Sequence, residues 1–113
     1  MSRRVDHLCP RFQAAMDVLA RPWTGLILST LSGQQLGFCE LAERLEVIGD
    51  RMLSLRLKEL ESRGIVQRLV LSEVPLRVAY RLTELGEGFQ EVARAIESWG
   101  GKLMAQEQGR TPS

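Results

Sequence analysis

Histidine is nearly absent from this chain: His7 is the only one in 113 residues, and cysteine occurs twice, as Cys9 and Cys39. That set cannot supply the ligands of a structural zinc site, and no nucleophile–base pair of the kind hydrolases use is recognisable. Two cysteines are too few for a disulfide scaffold. No apolar run approaches the ~18 residues that a membrane helix needs, and the N-terminal MSRRVDHL has no apolar segment of the kind that opens a secretory leader. A glycine-rich phosphate loop, internal repeats and low-complexity stretches are also missing. These absences argue against an enzyme and against a membrane protein. No metal and no cofactor are expected, and a cytoplasmic location is the default.

What is present is enough apolar residue, 44%, to build one core in a chain of this length. The net charge of +1 is uninformative, but its distribution is not. Residues 51–81 hold seven Lys/Arg and three Asp/Glu, whereas the segments on either side are slightly acidic. A localised basic surface matters more for binding phosphate than the whole-chain sum.

The spacing predicts the following elements. Residues 1–8 are a polar arm. Cys9-Pro10 opens a first helix, proline being well placed where its missing N–H would be unpaired anyway. Phe12, Ala15, Met16 and Leu19 form its apolar stripe. Arg21-Pro22 separates it from a second helix with the stripe Trp23, Leu26, Ile27, Thr30 and Leu31, closed by Gly33. A third helix turns Phe38, Leu41, Ala42 and Leu45 inward, and Glu46-Val47-Ile48 is a turn. Gly49 or Asp50 caps a fourth helix that ends at Gly64.

In that fourth helix Leu53, Leu57 and Leu60 recur at i, i+4, i+7 and face a core. Arg51, Ser54, Leu55, Lys58 and Ser62 fall on the opposite side. Ile65–Leu71 and Arg77–Leu82 read as two strands joined by a loop at Ser72–Leu76, with Val78, Tyr80 and Leu82 alternating against Arg77, Ala79 and Arg81. Thr83 caps a last helix in which Leu85, Phe89, Val92, Ile96, Trp99 and Leu103 make a heptad-like seam. Gly100-Gly101 weakens that helix, and it frays after Gln106.

The expected fold is mainly α with a small β-hairpin: a winged helix-turn-helix, residues 9–106, between the arm at 1–8 and a tail at 107–113. The third and fourth helices form the helix-turn-helix, whose apolar side is anchored while its polar, basic side enters a DNA major groove. The hairpin is the wing.

The ordered set of motifs resembles the HxlR-type family of winged helix-turn-helix transcriptional regulators. It runs through Cys9-Pro10, Trp23–Leu31, Phe38-Cys39-Glu40-Leu41, Asp50-Arg51-Met52-Leu53 and Arg56-Leu57-Lys58-Glu59-Leu60-Glu61. It continues with Gly64-Ile65-Val66-Gln67-Arg68, Val74-Pro75, Val78-Ala79-Tyr80-Arg81-Leu82-Thr83 and Gly86, down to Trp99. Two departures stand out. Gly49 replaces the usual capping serine, and the basic residue near the tryptophan lies two back, at Arg21. The resemblance implies a homodimer joined by its first and last helices, and in some members an N-terminal cysteine that senses electrophiles or oxidants. It leaves room for a small-molecule or oxidant effector here.

From the residues, the expected groove contacts are Arg51, Ser54, Leu55 and Lys58, with Leu55 available to a thymine methyl. Arg77, on the wing, is expected at phosphate or the minor groove. Arg56 lies nearer the core side and could pair with a local carboxylate. Arg68 and Arg81 could contact DNA or form cross-strand surface pairs.

The expected dimer interface includes Phe12, Phe89, Val92, Ile96 and Trp99. Trp23 and Trp99 fall in apolar stripes and are expected in core and dimer packing rather than a ligand cage. Cys9, at a helix start beside Arg11, is the redox-sensing candidate, because the helix dipole and the guanidinium favour a thiolate. Cys39 is expected to pack. Double-stranded DNA is thus the expected partner, and no membrane is expected. The alternative from another class is a winged-helix module that assembles a protein complex, which an acidic or apolar outer face on residues 51–62 would favour.

Overall fold

The computed structural model describes residues 9–110, so the expected arm at 1–8 and the last three residues of the expected tail lie outside the described part. In chain order the elements are α1 (Pro10–Leu19), α2 (Thr24–Leu31), β1 (Leu36–Gly37), α3 (Phe38–Arg44), α4 (Asp50–Ser62), β2 (Val66–Glu73), β3 (Leu76–Leu82), α5 (Glu84–Glu87) and α6 (Phe89–Arg110). The sheet is antiparallel, with order β1-β3-β2. This is a winged helix-turn-helix, mainly helical, with the β2–β3 hairpin as wing.

The core sits between α2, α3, α4 and one face of the sheet. Ile27, Leu31, Leu41, Leu53, Leu57 and Val66 are its most enclosed members, joined by Leu28, Leu60, Tyr80 and Leu82. Burying each such side chain contributes about 2 kcal/mol. The helix ends follow from local chemistry. At the start of α3, Glu40 reaches back so that Oε1 accepts from the Gly37 N–H at 2.9 Å. Thr83 Oγ1 accepts from Gly86 N at 3.2 Å and donates to the Gly64 carbonyl at 2.6 Å, tying α5 to the end of α4. Gly86 is buried, and a Cβ there would run into the Ile65 carbonyl.

Several expectations are corrected. The wing turn is shorter than Ser72–Leu76: the strands continue to Glu73 and from Leu76, leaving Val74-Pro75, whose peptide is cis, at the tip. A bulge between Val70 and Ser72 accommodates the extra residue. Ala79 is buried rather than outward, because β1 pairs on the other side of β3 and makes it the central strand.

In α2 the buried face is Thr24, Ile27, Leu28 and Leu31; Trp23 and Leu26 are exposed. Two apolar stripes overlap in this helix, and packing chose the other one. The last helix is divided, with α5 ending before Gly88 and α6 beginning at Phe89. Helix α6 then runs unbroken through Gly100-Gly101 to Arg110, past Gln106. Good helix formers, Lys102–Gln108, follow the glycines and carry it on.

Candidate nucleic-acid interface

Helix α4 begins at Gly49, which has φ 86° and ψ 147°, a left-handed region that favours glycine. A serine here would meet backbone strain. Asp50 then supplies negative charge to the first turn.

The inner face of α4 holds Leu53, Leu57 and Leu60, and also Arg56, which is only 5% exposed. Its guanidinium makes two hydrogen bonds: Nε donates to the Pro22 carbonyl at 2.9 Å and Nη1 donates to Glu59 Oε1 at 3.1 Å. The other Glu59 oxygen accepts from Arg21 Nη2 at 2.7 Å. The local carboxylate expected to pair with Arg56 is therefore Glu59. One acidic residue bridges two arginines, and the recognition helix is anchored from behind to the α1–α2 junction.

The outer face presents Arg51, Ser54, Leu55 and Lys58, all exposed, with Leu55 at 46%. Neither Arg51 nor Lys58 has an ion pair among the described residues. Arg77 is exposed near the wing tip, opposite Ser72.

The two strand arginines left open by the sequence part company. Arg81 Nε donates to Gln67 Oε1 at 2.9 Å across the hairpin, so it is a cross-strand surface pair. Arg68 is paired in register with Tyr80 and shares the sheet face of Val66, and it lines a groove of about 410 Å³ against Ser54, Lys58 and Glu61 of α4. Sequence reasoning missed this placement. The strand period of two puts Arg68 on the face of Val66, but only packing shows which face that is.

A second groove, about 500 Å³, runs between the start of α3 and the wing, where Cys39 lies beside Leu71, Leu76 and Arg77. Cys39 is exposed, contrary to the packing expected of it, because α3 turns Leu41 and Leu45 inward from its neighbouring positions.

Cys9 is also exposed, at the position before α1, where its carbonyl accepts from Gln13 N at 3.0 Å. Helix α1 buries none of its residues, and Phe12 is 60% exposed. Of the expected seam, Phe89 packs against the core, while Val92, Ile96, Trp99 and Leu103 stand on the surface, Trp99 at 67% exposure. Trp23 is partly exposed as well, with φ 72° just before α2. No group of three or more metal-capable side chains occurs among the described residues, and no helix is long and apolar enough to cross a membrane.

A family model described as HxlR-like helix-turn-helix matches residues 18–108. The HTH-type transcriptional regulator YodB of Bacillus subtilis (strain 168) is 40% identical over 92 residues, spanning 81% of this chain and 82% of that protein. Among solved structures, quinone-bound YodB from B. subtilis superposes with a TM-score of 0.74 at 37% identity, covering 84% of this chain and 99% of that one. The redox regulator HypR in its reduced form gives a TM-score of 0.78 at 30% identity, covering 88% and 98%.

Proposed function

The chain belongs to the HxlR-like helix-turn-helix family and is a DNA-binding transcriptional regulator, and from that premise we propose that it grips operator DNA as a homodimer through α4 and the wing. In this reading Arg51, Ser54, Leu55 and Lys58 enter the major groove and Arg77 meets phosphate or the minor groove. The observation that carries it is the two-faced α4: its inner cation is neutralised by Glu59, while Arg51 and Lys58 are exposed and have no ion pair among the described residues. The protein acts in the cytoplasm, where the DNA is. Its working unit begins at residue 9 and takes in the whole of α6, which ends at Arg110 rather than at the expected 106.

Two copies join through α1 and α6, using Phe12, Val92, Ile96 and Trp99; Phe89, first expected here, is taken up by the core of its own chain. The support is that Phe12 and Met16 of α1 are exposed, only Val18 and Leu19 of that helix packing against the core, and that the seam of α6 from Val92 onward is uncovered. The recognition helices of the pair then enter successive major grooves about 34–36 Å apart.

Selection of bound fragments from genomic DNA, followed by salt titration, tests the docking. Lys58→Ala and Arg77→Ala each weaken binding and flatten the log–log salt slope by ~0.9 per lost phosphate contact. Unchanged affinity and slope in both variants would remove the proposal.

Cys9 is the effector-sensing thiol of this reading. It is exposed at the start of a helix assigned to the dimer interface, and the related YodB and HypR have been solved in quinone-bound and in oxidised forms. An adduct or disulfide there shifts α1 and, through Arg21, Glu59 and Arg56, the recognition helix. Diamide or quinone treatment is expected to change operator affinity in a Cys39→Ser background and to leave a Cys9→Ser variant unaffected. Equal responses in the two would rule the switch out.

A further inference from the structure

We propose that the groove between α4 and the wing is a phosphate seat for one strand of the bound duplex, with Arg68 and Tyr80 as backbone-gripping residues alongside Ser54 and Lys58. The proposal rests on the docking of α4 and the wing given above. It adds Arg68 and Tyr80, which that docking does not use, and shares Ser54 and Lys58 with the groove-facing set.

Three observations converge. Ser54 and Lys58 lie one helical turn apart on α4 and line one wall of the groove, while Arg68 and Tyr80, partners in the β2–β3 register, line the other. The lining is rich in donors. Lys58 and Arg68 have no ion pair among the described residues, and the Ser54 hydroxyl has no hydrogen bond there either. Tyr80 is 9% exposed, its ring tilted against Phe38 at 6.5 Å between centroids, yet its phenol has no hydrogen-bond partner among the described residues. A phenol held in the core wall without an acceptor is costly unless a ligand or water supplies one. Lysine and arginine offer only donors, and a phosphodiester only acceptors, so their inventories are complementary.

Duplex geometry says where that acceptor comes from. The major groove that receives α4 and the adjacent minor groove that receives the wing are divided by a single phosphate backbone. A duplex engaged by both elements must carry that backbone across the space between them, and this groove is that space. Glu61 is the one acidic residue in the lining, and it opposes the phosphate. The seat reads no base, so it fixes register and orientation on the duplex rather than sequence.

The experiment is fluorescence anisotropy of the full chain with a labelled mixed-sequence duplex over a series of salt concentrations, with circular dichroism melting as the folding control. Arg68→Ala is expected to lose about tenfold in affinity and to flatten the salt slope by ~0.9. Tyr80→Phe keeps the ring and is expected to lose about threefold with the slope unchanged. Glu61→Gln is expected to tighten binding. Arg77→Ala serves as the reference for docking itself. If Arg77→Ala weakens binding while Arg68→Ala and Tyr80→Phe bind as wild type, the seat is refuted and the docking stands. If none of the three changes anything, the docking has failed and the seat with it. Weaker binding by Glu61→Gln would also overturn the seat.

Discussion

Leu53, Leu57 and Leu60 of α4 and Val92, Ile96, Trp99 and Leu103 of α6 obey the same helical spacing, yet the first set is buried and the second is exposed. Helix α4 lies against a sheet and two other helices. Helix α6 has 22 residues, about 33 Å at 1.5 Å per residue, and extends past the body that its first turn packs against. The chain's radius of gyration, 17.4 Å, exceeds the roughly 13 Å of a compact chain this long. An apolar stripe reports that a face is built to be covered. Whether the cover belongs to the same chain is a separate question, and for Phe12 and Met16 of α1 and for α6 from Val92 onward the same chain does not provide it. Uncovered contiguous apolar stripes on a protein surface mark interaction surfaces.

The comparison breaks if the two stripes respond alike to substitution. Leu57 is fully enclosed, so Leu57→Ala should lose about 4 kcal/mol in urea unfolding. Ile96→Asp should leave the monomer's melting curve nearly intact but cost about 3 kcal/mol of dimer stability, by placing an unpaired charge in an apolar contact. Analytical ultracentrifugation reads that directly, and a wild type that sediments as a monomer at high micromolar concentration would end the contrast.

The anchoring of α4 gives an intermediate case. Glu59→Ala strands the buried Arg56 guanidinium and should cost about 2 kcal/mol. Arg21→Ala, an exposed partner of the same carboxylate, should cost under about 1 kcal/mol. If these two proved equal, the Arg56 pair would be no more than a surface contact. Smallest of all, Leu55→Ala on the outer face should shift stability by no more than about 0.5 kcal/mol while still weakening binding to a thymine-containing site.

Much of the candidate interface was legible because it sits on one helix. The period of 3.6 separates Leu53, Leu57 and Leu60 from Arg51, Ser54, Leu55 and Lys58 without reference to anything else in the chain. The strand arginines were harder. The sequence could place them near each other but not on opposite faces, since that depends on which way β2 turns Val66. Cys39 went wrong for a related reason: it flanks the apolar positions of α3, and one step along a helix is about 100°.

The amino-acid sequence alone determined the order of the elements apart from β1 and the break between α5 and α6, the inward and outward sides of α4, the wing, the concentration of positive charge behind Asp50, and the family. These are local properties, set by periodicity, caps and breakers within a few residues. The tertiary structure decided which of two overlapping stripes α2 buries, that β1 makes β3 central and so encloses Ala79, that Arg68 faces α4 while Arg81 binds Gln67, and that the seam of α6 stays uncovered. Each of those depends on what lies opposite a residue in space, supplied by chain far away in sequence, and no pattern within a single element contains it.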